Sequence, residues 1–256
     1  MGKDRPCGQA EGTLRLNQRE TENTEACDGE SECSPRRLHG RSKGKALRRH
    51  QAELISGLLP QLALDLSQPI IDPRKLFSLP VRETRLEIGF GGGEHLIEAA
   101  TREPEVGFIG CEPFINGMAR LLSQIEQRGL NNIRLHRGDA VEVLDRLPDA
   151  SLDRVYLFYP DPWPKRRQRK RRFVSADTLA RLARTMQKGA ELRFATDIDD
   201  YAAWTLARLR LSPNFKWMAS AAADWLVPWE GWTTTKYESK AIAAGRKAVY
   251  LSFLRL

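Results

Sequence analysis

No apolar run in this 256-residue chain approaches the length of a membrane span. The opening residues, MGKDRPCGQAEG, contain no hydrophobic stretch of the kind a secretory leader requires. Cysteine is scarce: Cys7, Cys27, Cys33 and Cys111 form no C-x-x-C pair and have no nearby histidine set, which argues against a zinc site. Cys111 falls in a strand-like run and reads as a small apolar packing residue, and a reducing cytoplasm suits such a chain. The one glycine-rich loop lacks the Lys-Ser/Thr of a P-loop, and where a dinucleotide fingerprint needs its third glycine the chain has Glu94. An acid there opposes a pyrophosphate at a helix N-terminus, so phosphate ligands are disfavoured at that loop.

What is present divides unevenly along the chain. Residues 1–34 are polar, with no apolar period, and read as a disordered tail. Residues 35–60 carry a basic arm, RRLHGRSKGKALRRH, and an amphipathic helix that ends before Pro60. From residue 61 onward the chain reads as one domain in which strands alternate with helices. TRLEIGF, VGFIGCE, NIRLHRG, LDRVYLFYP, AELRFATD, FKWMAS and KAVYLSFLRL are the expected strands. The helix SADTLARLARTMQKG is expected to start on Ser175 and to stop at Gly189. Such alternation implies an α/β fold, a parallel sheet with helices on both faces. Ligands of such folds bind at the carboxyl ends of the strands.

Acids mark those ends. Glu87 closes the first strand and is followed by Gly89, Gly91 and Gly93, where a backbone free of side chains turns sharply and admits a ligand closely. The pattern acid-x-Gly-x-Gly-x-Gly suits a cationic or zwitterionic ligand, as in S-adenosylmethionine enzymes; a purely structural turn is the bland alternative. Glu112 ends the second strand, where a carboxylate can accept from two ribose hydroxyls, or be an ordinary loop acid. Asp139 follows the third strand, in reach of an adenine amino group, or as a helix N-cap. Recurrence at three successive strand ends favours the ligand reading.

The fourth strand runs into VYLFYPDPWPKRRQRKRR, residues 155–172. One acid, Asp161, sits among three prolines, and seven cationic side chains follow in the eight residues from Lys165. A net charge of +8 suggests a polyanionic partner, although many basic proteins bind none specifically. Lys165, Arg166, Arg167, Arg169, Lys170, Arg171 and Arg172 read as contacts to an RNA backbone, against the alternative of a solvated basic loop. Trp163 either walls the pocket or simply packs.

LEIGFGGGEH, GCEP, GDAVEVL, FYPDPWPKRRQRKRR, ATDIDDY and TTTKYE together resemble the bacterial tRNA (guanine-N7-)-methyltransferases, from about Arg37 to the C-terminus. The glycine loop is common to many methyltransferases, whereas PDPWPK and TKYE are far more specific. The resemblance implies a Rossmann-like class I methyltransferase fold with a mostly parallel seven-stranded sheet. It also implies S-adenosylmethionine as donor and the variable-loop guanine of tRNA, position 46 of that RNA, as target. Glu87, Glu112, Asp139 and Asp161 are then donor contacts beside Gly89 and Gly91. Lys165, Asp197, Thr235, Lys236, Tyr237 and Glu238 are substrate contacts, the last four in a loop. Asp161 is the expected catalytic residue, holding the guanine and helping positive charge spread onto it. Family members often have a histidine where this chain has Gln168. A metal and a membrane are not expected, and the chain reads equally as monomer or homodimer. Two readings compete: a methyltransferase of this fold acting on a small molecule or protein, and an RNA-binding module without catalysis.

Overall fold

The computed structural model describes Gly40 and residues 42–256. The expected tail, residues 1–34, and the first part of the basic arm lie outside the described residues. The arm that is described leads into helix α1 (Arg49–Gly57) and the short α2 (Leu59–Leu62), with Pro60 in the first turn of α2, where its missing N–H costs nothing.

Seven strands follow: β1 (Glu83–Ile88), β2 (Val106–Cys111), β3 (Ile133–His136), β4 (Leu152–Phe158), β5 (Met186–Thr196), β6 (Phe215–Trp217) and β7 (Val249–Arg255). They form one sheet in the order β3-β2-β1-β4-β5-β7-β6, parallel from β3 to β5 and antiparallel through β7 and β6. This is a Rossmann-like α/β fold, a mostly parallel seven-stranded sheet as expected. Between them run α3 (Glu94–Arg102), α4 (Ile115–Arg128), α5 (Ala140–Arg146), α6 (Ala176–Thr185) and α7 (Asp199–Leu211). Helices α8 (Ala223–Leu226) and α9 (Lys236–Ala243) lie between β6 and β7.

Both faces of the sheet are covered, so β2 (VGFIGC) and the carboxyl-terminal half of β4 (residues 155–158) are buried and apolar on both sides rather than alternating. Along β4, Val155 and Leu157 pack in one core with Leu86, Ile109, Leu192 and Phe194. Tyr156 and Phe158 pack in the other with Leu96, Phe108, Met118 and Leu121. Cys111 is buried and free, as expected, and burial pushes its thiol far above the usual range.

The sheet order reverses between β1 and β4, and this switch point positions the site. Ile88 of β1 pairs with Cys111 of β2 on one side and with Leu157 of β4 on the other. The carboxyl ends of the three strands are therefore level. After β1 the chain turns through Gly89, Gly91 and Gly93, all with positive φ (72°, 59° and 81°). The turn is held by Gly89 N–H on the Cys111 carbonyl and Gly93 N–H on the Phe90 carbonyl, 2.8 Å each. Gly117, in the first turn of α4, lies so close to this loop that a Cβ on it would stand 2.1 Å from the Gly91 carbonyl oxygen.

Two expected boundaries move. α6 ends at Thr185 instead of at Gly189, because Met186 is buried and pairs with Leu152 as the first residue of β5. The register shift between Leu152 and Arg154 takes up the extra residues, so Gly189 (φ +83°) lies within β5. TTTKYE is not all loop: Thr235 caps α9 by accepting from the Glu238 N–H at 3.2 Å.

Gly117→Ala is expected to destabilise the protein by about 1–3 kcal/mol, since α4 must withdraw from the glycine loop. Urea denaturation of parent and variant measures this. Equal midpoints would mean that the loop gives way at no cost.

Candidate active site at the strand carboxyl ends

Each expected acid stands at the rim where the strands end. Glu112, just past β2, is buried; its Oε2 accepts from Gly91 N–H at 2.7 Å and its Oε1 from Phe114 N–H at 2.9 Å. One carboxylate thus ties the glycine loop to the start of α4. Burial pushes its carboxyl above the ordinary range, the two N–H donors oppose this, and the charges of Asp161 and Glu87 push it further up. Glu87 is 3% exposed, with Oε2 2.7 Å from Nδ1 of buried His95 in α3. The His95 ring stacks edge-on against Tyr156 and Phe158 at 4.7 and 4.8 Å. Asp139 is buried and caps α5, its Oδ1 accepting from Val141 N–H at 3.1 Å. The capping role is therefore present alongside whatever its remaining oxygen does.

Asp161 lies beyond β4 in the turn Tyr159-Pro-Asp-Pro-Trp. Tyr159 and Trp163 both adopt positive φ (47° and 43°), sparsely populated for aromatic residues. The side chain keeps solvent access, yet the surrounding protein displaces enough water to push its carboxyl up. Gly40 lies against it: a Cβ there would stand 3.3 Å from Asp161 Oδ2. The described part of the basic arm crosses the start of α4 next to this point. The Ser42 carbonyl accepts from Ile115 N–H at 3.1 Å, and the Lys45 carbonyl from Asn116 Nδ2 at 2.7 Å.

The α9 segment closes the other side. Tyr237 is half exposed, with its ring 3.1 Å from where a Cβ on Gly91 would sit. Burial first, then the charges of Glu112, Asp161 and Glu94, push its hydroxyl up, so Tyr237 shares the field of the same acids. Glu238 is buried; Oε2 accepts from Trp232 Nε1 at 2.7 Å and Oε1 from the Tyr250 hydroxyl. Thr235 is buried as the α9 cap, and Lys236 is exposed. Asp197, past β5, pairs with Arg246 Nε at 2.6 Å.

The cationic run forms a 3-10 turn over Arg166–Arg171. Lys165, Arg166, Arg167 and Lys170 are exposed. Arg171 lies over the Trp163 ring at 4.9 Å, and Arg169 pairs with Asp200 at 2.7 Å. Arg172 corrects the sequence reading: it is 1% exposed and cannot meet an RNA phosphate. Its side chain is spent on the Pro162 carbonyl and on Asp200. Sequence reasoning also missed His95, Asp200, Arg246 and Tyr250. Each is identified only by a partner from another element.

Among the described residues no group of three or more His, Cys, Asp or Glu could hold a metal ion, and no helix is long and apolar enough to cross a membrane. The chemistry of the rim is anionic at the glycine loop and cationic beyond Asp161. Residues 82–251 match a family model described as "Putative methyltransferase". A tRNA (guanine-N(7)-)-methyltransferase of Rhodopseudomonas palustris (strain BisA53) is 56% identical over 84% of this chain and 87% of its own. The protein of that name from Bradyrhizobium diazoefficiens is 53% identical over 89% of this chain and 97% of its own. The chain belongs to the tRNA (guanine-N(7)-)-methyltransferase family. It is a methyltransferase. Among solved structures, an antibiotic-related methyltransferase superposes with a TM-score of 0.46 at 16% identity, over 83% of this chain and 97% of that one.

The raised carboxyl of Glu112 has a signed consequence. A folded-state value above the unfolded one means that the folded protein binds this proton more readily. Stability from this group therefore falls as pH rises from the ordinary carboxylate range through the elevated value, and the cost persists above it. Relative to the parent, Glu112→Gln is expected to gain stability across that window and to hold a constant difference above it. Urea denaturation from about pH 4 to about pH 8 checks this. A parent–variant difference that ignores pH would contradict it.

Proposed function

We propose that the chain transfers the methyl group of S-adenosylmethionine to N7 of a tRNA guanine, the variable-loop guanine at position 46 of the RNA. The observation that carries this reading is the Asp161 turn. A single carboxylate is held between two left-handed aromatic residues at the sheet's switch point, with acids on one side and an exposed cationic turn on the other.

The residues suit the donor. At Gly89 a side chain would meet nothing within 4 Å, which leaves the backbone past β1 open to a ligand, and Glu87, Glu112 and Asp139 give that approach a negative potential. Glu112 would hold ribose hydroxyls, Asp139 the adenine edge, and Glu87 with Gly89 and Gly91 the zwitterionic end. Once bound, the donor supplies an electrophilic methyl on a sulfonium. Guanine N7 carries a lone pair and no proton, so the chain need not supply a general base. Its task is alignment, which can contribute roughly 7–11 kcal/mol. Asp161 would accept from guanine N1–H and the 2-amino group, selecting guanine over adenine, and favour the positive charge that develops on the purine.

Lys165, Asp197, Lys236 and Tyr237 would line the RNA side. Thr235 and Glu238 would act from beneath it, by capping and bracing α9 under Tyr237. Arg166, Arg167, Arg169, Lys170 and Arg171 would meet phosphates, which positions RNA without reading its sequence. In this assignment residues 61–256 form the methyltransferase domain and residues 35–60 an arm that clamps the RNA. A tRNA substrate implies the cytoplasm.

The test is incubation with unmodified tRNA and labelled donor, followed by nucleoside analysis. Label in 7-methylguanosine is expected, together with loss of nearly all of it in a folded Asp161→Ala variant. Label in another nucleoside, or an Asp161→Ala variant of near-parental rate, would overturn the reading.

The phosphate contacts have their own signature. Changing Arg166, Arg167 and Arg171 together to Gln should flatten the slope of log tRNA affinity against log salt by about 0.7–0.9 per lost contact. Donor affinity should stay at the parental value. An unchanged slope would make the run a solvated turn.

A further inference from the structure

The most buried cation of the basic run is also its last. We propose that Arg172 is a positioning residue for the Asp161 turn, fixing that turn to α7, and takes no part in holding RNA. The proposal rests on the assignment of Asp161 to the reaction.

Five contacts carry it. The Arg172 Nε–H donates to the Pro162 carbonyl at 2.8 Å. That carbonyl belongs to the peptide joining Pro162 to Trp163, the residue at φ +43° two positions after Asp161. One terminal nitrogen of the guanidinium pairs with the Asp200 carboxylate and the other reaches the Asp200 carbonyl at 3.4 Å. The guanidinium carbon lies over the rings of Tyr201 and Trp204, 4.8 and 4.9 Å from their centroids. Trp204 is held in turn by its Nε1–H on the Val174 carbonyl at 2.8 Å.

Asp200, Tyr201 and Trp204 all belong to α7, so the clamp joins a strained turn to a regular helix. The Arg172 hydrogen bond holds the Asp200 carboxyl below its ordinary range, with the charges of Arg172 and Arg169 adding to it. Of this pair only the Arg172 guanidinium is buried, the Asp200 carboxylate being 44% exposed, so the pair is anchored by the buried cation and its carbonyl and ring contacts as well as by charge. A fork that serves a carbonyl and a carboxylate at once, with its charge over two aromatic rings, is a task lysine cannot perform. Arg172 thus stands where a displacement of the Pro162 peptide carries straight to Asp161. A misplacement of about 1 Å at a reacting centre can cost on the order of a hundredfold in rate.

The experiment compares the parent with Arg172→Lys and with the triple Gln variant described above. Four readouts are taken: hydrogen exchange, donor affinity by calorimetry, tRNA affinity across a salt series, and single-turnover methyl transfer at saturating donor and tRNA. For Arg172→Lys, amides of residues 159–165 should exchange about tenfold faster while those of β1 stay at the parental rate. The single-turnover rate should fall about ten- to a hundredfold, with donor affinity and salt slope as in the parent. A salt slope flattened as in the triple variant, with the saturated rate retained, would make Arg172 a phosphate contact and overturn the proposal. Parental exchange in residues 159–165 would overturn it too, whether or not the parent methylates tRNA. Should Arg172→Lys fail to fold, Asp200→Asn carries the same test: a smaller rate loss and faster exchange in 159–165 are expected, and parental values for both would refute the clamp. The parent's yield of 7-methylguanosine tests the underlying reading separately.

Discussion

A carboxylate removed from water costs several kcal/mol unless charge or hydrogen bonds compensate it, and this protein gathers such groups along one edge of its sheet. Glu87, Glu112 and Asp139 are all less than 9% exposed, and Asp161 stands at the same rim with its carboxyl pushed up by burial. The sheet makes this arrangement. Level carboxyl ends of β1, β2 and β4 bring acids distant in sequence into one field, strong enough that Glu112 responds to both Asp161 and Glu87. A cationic ligand lowers the energy of such a field, and an anionic one raises it.

Much of the surrounding structure can be understood as compensation for that edge. Glu112 takes two backbone N–H groups, Asp139 caps a helix, and Glu87 has a buried histidine beside it. The same bonds shape the rim: the carboxylate that takes the Gly91 N–H also fixes the glycine loop against the start of α4. Positive charge is kept farther out. Arg166, Arg167 and Lys170 face solvent beyond the Asp161 turn, away from the buried acids. Between these two regions the turn holds left-handed Tyr159 and Trp163, conformations that persist only when neighbouring structure enforces them.

The alternation of strand and helix and the row of acids were legible in the sequence because both follow from short-range pattern: apolar runs, glycines after a strand, an acid at each strand's end. The start of α9 was also written there, since Thr235 and Glu238 stand three apart as in a capping box, although the segment was expected to be a loop. The end of α6 was not legible, because MQKG reads as a helix terminus until Met186 is seen buried beside Leu152. Arg172 was hidden for a different reason. In a run of like charges nothing local distinguishes the side chain that is buried; its partner Asp200 comes 28 residues later, from another element. His95 and Tyr250 were obscured in the same way, being defined by contacts rather than by spacing.

The most direct measurement of the central claim, that the acidic rim seats a cationic methyl donor beside Asp161, is a crystal structure with S-adenosylmethionine bound. The account requires density across the carboxyl ends of β1 and β4. The ribose hydroxyls should lie within hydrogen-bond distance of the Glu112 carboxylate, and the methyl should face the turn that carries Asp161. A donor bound with its ribose away from Glu112, or with its methyl turned from Asp161, would contradict it.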